Sequence, residues 1–187
     1  KYMLSPGLTN TSIKFSSTYF LANTDFEKIK PAPAVGAGIQ FILPRSQQRL
    51  SLPVEMMVTS FKLSGLYADD LNPDTIEIGY TYLKWSLSLM YTLPLGKVKL
   101  FGSAGITNAR SIHDINRRIN ISPFQNFQES KAINQDVSSE RSVLYRIGIL
   151  VKRYSFDFHI EETNSFSQRD DLHVEENRIY AMLGYRF

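Results

Sequence analysis

Apolar and polar residues alternate with a period of two through most of the chain, in stretches of roughly ten residues, and helical periodicity is almost missing. Eight such stretches predict eight strands. The first, 12–21, carries Ile13, Phe15, Tyr19 and Leu21 on one face and Ser12, Lys14, Ser16 and Thr18 on the other. In the second, 34–43, Val35, Ala37, Ile39, Phe41 and Leu43 alternate with Gly36, Gly38 and Gln40. The third, 50–63, sets Leu52, Val54, Met56 and Val58 against Ser51, Glu55 and Thr59; its phase flips near Ser60, as at a bulge or the edge of an apolar zone. The fourth and longest, 75–93, opposes Leu83, Trp85, Leu87, Leu89, Tyr91 and Leu93 to Lys84, Ser86, Ser88 and Thr92. The remaining stretches, 98–107, 142–152, 154–163 and 178–187, follow the same rule, as in Tyr154, Phe156, Phe158 and Ile160 against Ser155, Asp157, His159 and Glu161.

The connections alternate as regularly as the strands. Those at Pro44–Arg49, Pro94–Lys97 and Lys152–Tyr154 are short, whereas 22–33, 64–74, 108–141 and 164–177 are longer and polar. An even-stranded meander with tight turns at one end and elaborate loops at the other is expected of an outer-membrane barrel, with short periplasmic turns and long extracellular loops. Both termini then lie on the periplasmic side. The predicted fold is an all-β, eight-stranded antiparallel up-and-down transmembrane barrel forming a single domain, 1–187, with its longest loop at about 108–141.

A soluble eight-stranded barrel alternates too, with its apolar face turned inward. The polar face here carries charges of both signs, so it either meets bulk water or fills the lumen of an inside-out barrel. Three features favour the lumen. The polar face is dominated by Ser, Thr and Gly, the apolar faces are long enough for tilted strands to cross hydrocarbon, and aromatics gather toward strand ends. These are Tyr19, Phe20, Phe41, Tyr80, Tyr82, Tyr91, Tyr154, Tyr185 and Phe187, as in interfacial girdles.

Composition narrows the chemistry. The chain has no Cys, which excludes disulfides, thiolate metal sites and a cysteine nucleophile. Its 21 Lys+Arg against 18 Asp+Glu leave a formal charge of +3, too small an excess to argue for nucleic acid. With 43% apolar residues it is too rich to be disordered, yet it has no apolar run long enough for a transmembrane helix.

Lys14, Glu55, Lys84, Lys99, Arg146, Asp157, His159, Glu161 and Arg186 form a predicted lumenal charge network, as buried charges are tolerated only when paired. Such a network plugs the barrel, or alternatively lines an ion or proton path; no uninterrupted lining of one sign appears. The run Ser155, Asp157, His159, Glu161 has acid-base groups, but neighbours on one strand face stand some 7 Å apart, which argues against direct hydrogen bonds. No catalytic, cofactor or metal site is predicted, and the acidic stretches around Asp69, Asp70 and Asp74 and through 161–176 read as solvated loops. Arg45, Arg49, Lys97, Lys152 and Arg153 make the turn end basic. The stretch 108–141 is too apolar for a free loop; Ile112, Ile115, Ile119, Phe124 and Phe127 are its candidates for docking a partner or capping the barrel.

The final residues Leu183-Gly184-Tyr185-Arg186-Phe187 resemble the C-terminal signal that outer-membrane barrels present to their assembly machinery, with Tyr185 and Phe187 as its aromatics and Met182 where that signal usually has Gly. The chain as a whole is similar to the small outer-membrane barrels grouped with the OmpA and OmpX transmembrane domains. The stretches Leu50-Ser-Leu-Pro-Val-Glu-Met-Met and Leu93-Pro-Leu-Gly-Lys-Val-Lys-Leu-Phe-Gly-Ser-Ala-Gly-Ile resemble, more narrowly, strand-turn-strand units of the porin-like, PorT-type barrels abundant in Bacteroidetes. The resemblance implies a multi-pass protein of a Gram-negative outer membrane, in contact with lipid and, during insertion, with the barrel-assembly machinery. Three functions follow as expectations: a structural or accessory barrel docking proteins of a secretion or assembly complex, a small porin-like transport barrel, and a lipid-modifying enzyme.

Overall fold

The computed structural model describes residues 1–16, 25–27, 29–69, 72–120, 128–131, 139–164 and 173–187. Its strands are β1 (Tyr2–Ser16), β2 (Asp25–Phe26), β3 (Ala32–Ile42), β4 (Leu50–Asp69), β5 (Asn72–Leu95), β6 (Val98–Asn120), β7 (Gln128–Ser130), β8 (Ser139–Val151), β9 (Tyr154–Asn164) and β10 (His173–Arg186). The antiparallel order β4-β3-β1-β10-β9-β8-β6-β5 closes on itself through β4–β5, while the short β2 and β7 pair with β4 and β6. The result is an eight-stranded ring. Closure supplies each barrel strand with two hydrogen-bonding neighbours, the condition for carrying strand backbone through hydrocarbon.

The three tight connections lie at one end. Gly96 and Lys152 each open a two-residue turn at positive φ (65° and 55°), and the Leu43–Arg49 turn holds Arg45, Gln47 and Gln48 in the same region.

Outside this ring the surface is apolar. Leu4, Leu8, Val35, Ile39, Val54, Met56, Leu87, Leu89, Ile106, Ile147, Phe158 and Leu183 are all exposed. Inside it are Ser5, Thr9, Ser51, Thr59, Ser88, Thr92, Ser142 and Ser155, all buried. The belt ends at one level on the extracellular side. Going up each strand, Leu8 gives way to Asn10, Val35 to Pro33, Val58 to Ser60, Leu83 to Thr81, Ile106 to Asn108, Val143 to Arg141, Ile160 to Glu162 and Ile179 to Asn177. An apolar outer band with a polar filled interior is stable only where hydrocarbon surrounds it.

Above that level the polarity inverts. In β4 Phe61 and Leu63 turn inward and Lys62 outward, and in β5 Ile76, Ile78, Tyr80 and Tyr82 are buried inside. There water surrounds the sheet, so the apolar face moves in. This corrects two readings of the pattern and decides between the two alternatives left at Ser60. The first strand is Tyr2–Ser16 rather than 12–21, with Tyr2, Leu4 and Leu8 outward and Ile13 on the inner face. The flip near Ser60 is the edge of the apolar zone: β4 and β5 keep one register from Leu50–Tyr91 to Asp69–Asn72, and the bulge lies in β6 instead, opposite Thr81/Tyr82. Tyr80 and Tyr82 stack inside with Phe61, at 5.8 and 6.4 Å, and take no part in a girdle. Tyr2, Phe41, Tyr154, Tyr185 and Phe187 do mark the periplasmic rim, with Tyr154–Tyr185 and Tyr185–Phe187 ring contacts of 5.3 and 4.9 Å. Tyr19 and Phe20 lie outside the described residues.

Two of the long connections are largely strand. The 64–74 stretch is the top of the β4–β5 hairpin, and β6 runs on to Asn120. Strands β4, β5 and β6 therefore rise well above the belt, by roughly 30 Å along the strand.

Leu89→Arg, at the middle of the belt face of β5, is expected to lower stability by about 2–4 kcal/mol, whereas Ser60→Arg, above the belt, changes it by less than about 1 kcal/mol. Urea unfolding in phosphatidylcholine vesicles, followed by the fluorescence of Trp85, measures both.

Candidate functional site

The lumen is held by two clusters of charge whose members come from strands far apart in sequence. In the lower one, Arg146 of β8 donates to both carboxylate oxygens of Glu55 on β4, one of these bonds at 2.7 Å. Its Nε stands 3.8 Å from Asp157, which in turn contacts His159 Nε2 at 2.7 Å. Gly38 makes this possible, since a Cβ there would meet Glu55 Cγ at 2.6 Å.

The upper cluster is built on Glu161. It accepts from Lys84 at 2.6 Å, Tyr180 at 2.6 Å and Ser142 at 2.5 Å, and Arg178 stands 3.7 Å away. Arg178 donates to both oxygens of Glu140, at 2.9 and 3.0 Å, and to Glu176 at 2.6 Å. Its guanidinium lies 4.9 Å from the Tyr82 ring centroid and 6.0 Å from that of Phe61, so the apolar cap sits directly on the charges. Arg178, Lys84, Glu161 and Glu176 are all at most 1% exposed.

Between the clusters, Glu55, Lys84, Thr107, Arg146, His159 and Glu161 leave a void of about 10 Å³, the size of one water molecule. Toward the periplasm Met90, Phe101 and Leu150 pack together, and Arg186 lies 5.5 Å from the Phe101 ring while donating to Gln40 at 3.2 Å.

Of the nine residues expected in the network, Glu55, Arg146, Asp157 and His159 meet in one cluster and Lys84 and Glu161 in the other. Arg186 is buried but contacts an amide and a ring. Lys99 lies on the inner face near the periplasmic turn and makes no ion pair among the described residues. Lys14 is a correction: it is exposed on the outer face, because β1 has by then passed the belt and its outward positions have become polar. Glu140, Glu176 and Arg178 were missed. The alternation Glu140-Ser142-Leu144-Arg146 and Glu176-Arg178-Tyr180-Met182 is in phase with the lumen and was the available signal, but both glutamates fall in segments too polar to read as strand.

Neighbours on one strand face also touch here, contrary to the spacing argument. His159–Asp157 and Arg178–Glu176 are both two residues apart, and long side chains lean along the strand to meet. Glu161 and Glu176 belong to the lumen rather than to an acidic loop, and Asp74 pairs with Arg118 at 2.6 Å. Asp70, Asp170 and Asp171 lie outside the described residues.

Ile112, Ile115 and Ile119, expected in a loop, stand on β6: Ile112 is the extra residue of the bulge and is 57% exposed, and the other two are part-exposed on the outer face of the raised sheet. The strand continues because β5 offers it a partner as far as Asp74–Asn120. Phe124 and Phe127 lie outside the described residues. On the same outer face Glu77 bridges Lys62 at 2.8 Å and Arg117 at 2.5 Å, tying β4, β5 and β6 together. The hydrogen bond from Lys62, then that from Arg117, hold the Glu77 carboxyl below its ordinary value.

No family model and no curated protein matches the chain. Among solved structures it is similar to the outer membrane protein OprG from Pseudomonas aeruginosa (TM-score 0.50, 11% identity, covering 100% of this chain and 95% of that one). It is also similar to Ail, the attachment invasion locus protein of Yersinia pestis (TM-score 0.44, 13% identity, 98% and 97%), and to the Ralstonia pickettii toluene transporter TbuX (0.29, 8%, 100% and 89%). The likeness to OprG is one of fold, that of a small outer-membrane β-barrel. The closed ring and its apolar belt give the physical reason for a place in the outer membrane of a Gram-negative bacterium.

Arg178→Met leaves Glu140 and Glu176 buried without their partner and is expected to cost about 3–5 kcal/mol in the same unfolding assay. The triple change Glu140→Gln, Glu176→Gln, Arg178→Met is expected to recover much of that loss, because it removes the stranded charges as well.

Proposed function

We propose that the chain is a structural or accessory barrel of the outer membrane, which holds a rigid extracellular sheet for docking other proteins of a secretion or assembly complex. The observation that carries this reading is the filled lumen. Two paired charge clusters, with an apolar cap above and an apolar plug below, leave space for about one water molecule between them, so the working surfaces of this barrel are external. The raised part of β4, β5 and β6 is such a surface, stiffened by the Lys62–Glu77–Arg117 bridge and carrying Ile112, Ile115 and Ile119. Rigid elements position a recognition surface more accurately than a free loop does.

On this reading the protein is not an enzyme. His159 is 3% exposed, and its ring nitrogen is held by Asp157 at 2.7 Å, which leaves it poorly placed to act on a substrate from solvent. Transport through the lumen is the weaker alternative, since it needs a continuous wet path. Tyr185 and Phe187, at the periplasmic rim, are the residues through which we expect the assembly machinery to recognise the barrel during insertion.

The test is a photo-crosslinking amino acid at Ile112 or Ile115 in cells, followed by mild-detergent extraction and native sizing. Discrete crosslinked partners and a complex far heavier than 21.4 kDa are expected. A lone barrel, with no crosslink at either position, contradicts the docking role.

A further inference from the structure

On the outer surface at the upper edge of the belt, a groove of about 710 Å³ lies across β5, β6, β8 and β9. Its floor is apolar, formed by Leu87, Ile106 and Val143, which are 48%, 66% and 43% exposed and continuous with the hydrocarbon belt. Its rim is polar and sits where lipid headgroups lie. Asn108 pairs across the strands with both Trp85 and Arg141, which puts the three side chains side by side. Arg110 is two positions further along the same face of β6, diagonal to Arg141 and within reach of a shared ligand.

Neither Arg110 nor Arg141 has a carboxylate partner for its guanidinium among the described residues, although both are exposed. This distinguishes them from Lys62, Arg117 and Arg118, which are committed to Glu77 and Asp74. The opposite wall carries Glu162, which makes no ion pair among the described residues, so Arg141 on the rim and Arg110 beside it set two positive charges against one negative. Elsewhere at this level the strands carry Asn10, Ser60, Thr81 and Asn177, which are uncharged. One step higher, level with Arg110, β4 carries Lys62, which is committed to Glu77, so Arg110 and Arg141 are the outward guanidiniums at this edge without a carboxylate partner among the described residues.

We propose that this groove seats a phosphorylated lipid of the outer leaflet. The headgroup phosphate lies between the Arg110 and Arg141 guanidiniums, whose planar donor forks match phosphate oxygens. The Asn108 amide and the Trp85 indole N–H meet the neighbouring ester or sugar oxygens. The first methylenes of an acyl chain lie along Leu87, Ile106 and Val143. The adjoining apolar floor lets one ligand fill both parts of the groove, its chain on Leu87, Ile106 and Val143 and its phosphate at the arginines. This inference rests on the position of the barrel in the membrane and not on the docking role, so either can fail without the other.

Trp85 is the single tryptophan of the chain and stands in the groove, which makes it the reporter. The full chain is reconstituted in phosphatidylcholine vesicles containing phosphatidylglycerol with brominated acyl chains, or brominated phosphatidylcholine in its place. Quenching of Trp85 gives the relative association constant of the two lipids. A preference of about 25-fold for the anionic lipid is expected, about fivefold from each arginine, so that Arg110→Gln/Arg141→Gln brings the ratio close to one. Lys14→Gln/Lys62→Gln removes the same charge elsewhere on the outer face and is expected to leave the ratio unchanged. Retention of the heat-modifiable gel shift reports that each variant is folded, and Arg110→Lys/Arg141→Lys is expected to keep part of the preference. Equal quenching by both lipids in the native chain overturns the proposal, as does an equal fall in the Lys14/Lys62 variant. If added inorganic phosphate alone abolishes the preference, the site binds the free anion and the assignment to a lipid is wrong.

Discussion

An eight-stranded ring encloses a lumen just wide enough for side chains to fill, and hydrocarbon outside leaves the polar residues nowhere else to go. The inner face must therefore be both polar and close-packed. Small residues on most inward positions, with a few large charged ones between them, meet both demands. Gly38 and Gly148 mark two places where the charged clusters leave no room for a side chain: a Cβ on the first would meet Glu55 Cγ, and one on the second would meet Asp157 Cβ and Phe101 Cζ, all at 2.6 Å. Arg146 and Arg178 then act as cross-braces, joining β8 to β4 and β10 to β8 through bidentate contacts across the lumen. With one partner removed, either brace would leave a charge buried without compensation, which is why the clusters behave as units.

Much of this was legible in the sequence. Period-two alternation, eight stretches and the long-short rhythm of the connections specify the ring, and the economy of volume on the polar face identifies it as the lumen. Apart from the phase flip at Ser60, what escaped lies above the belt. There the outer solvent changes from hydrocarbon to water, and the same alternation reverses its meaning. Ile13 therefore reads as lipid-facing although it points inward, and Lys14 reads as lumenal although it is exposed. Asp69 and Asp74 make a hairpin top read as a loop. The polar content of the chain beyond Ile106 hides a strand that continues to Asn120 because β5 pairs with it throughout.

The inner charge clusters were partly visible for a related reason. Strand phase assigns a residue to the lumen, but the partner it finds depends on strand stagger, which only the register reveals. Glu55 meets Arg146 over a separation of 91 residues and Lys84 meets Glu161 over 77. Nothing local in the sequence selects those pairs. Likewise Arg110 and Arg141 acquire meaning together only once β6 and β8 are known to be neighbours.

The central claim is that one strand, β5, passes from water through hydrocarbon with its outer face changing character at a fixed level and its inner face dry throughout. The chain contains no cysteine, so single nitroxide-labelled cysteines from Thr75 to Leu95 in lipid vesicles test it directly. Relaxation by oxygen reports lipid, and relaxation by a water-soluble nickel complex reports solvent. The account predicts oxygen access at Leu83, Leu87, Leu89 and Leu93, nickel access at Thr75 and Thr81, and protection from both at Lys84, Ser88 and Thr92. Nickel access at Ser88 and Thr92 would mean a wet lumen, and nickel access at Leu87 and Leu89 would mean a barrel in water; either result contradicts the account.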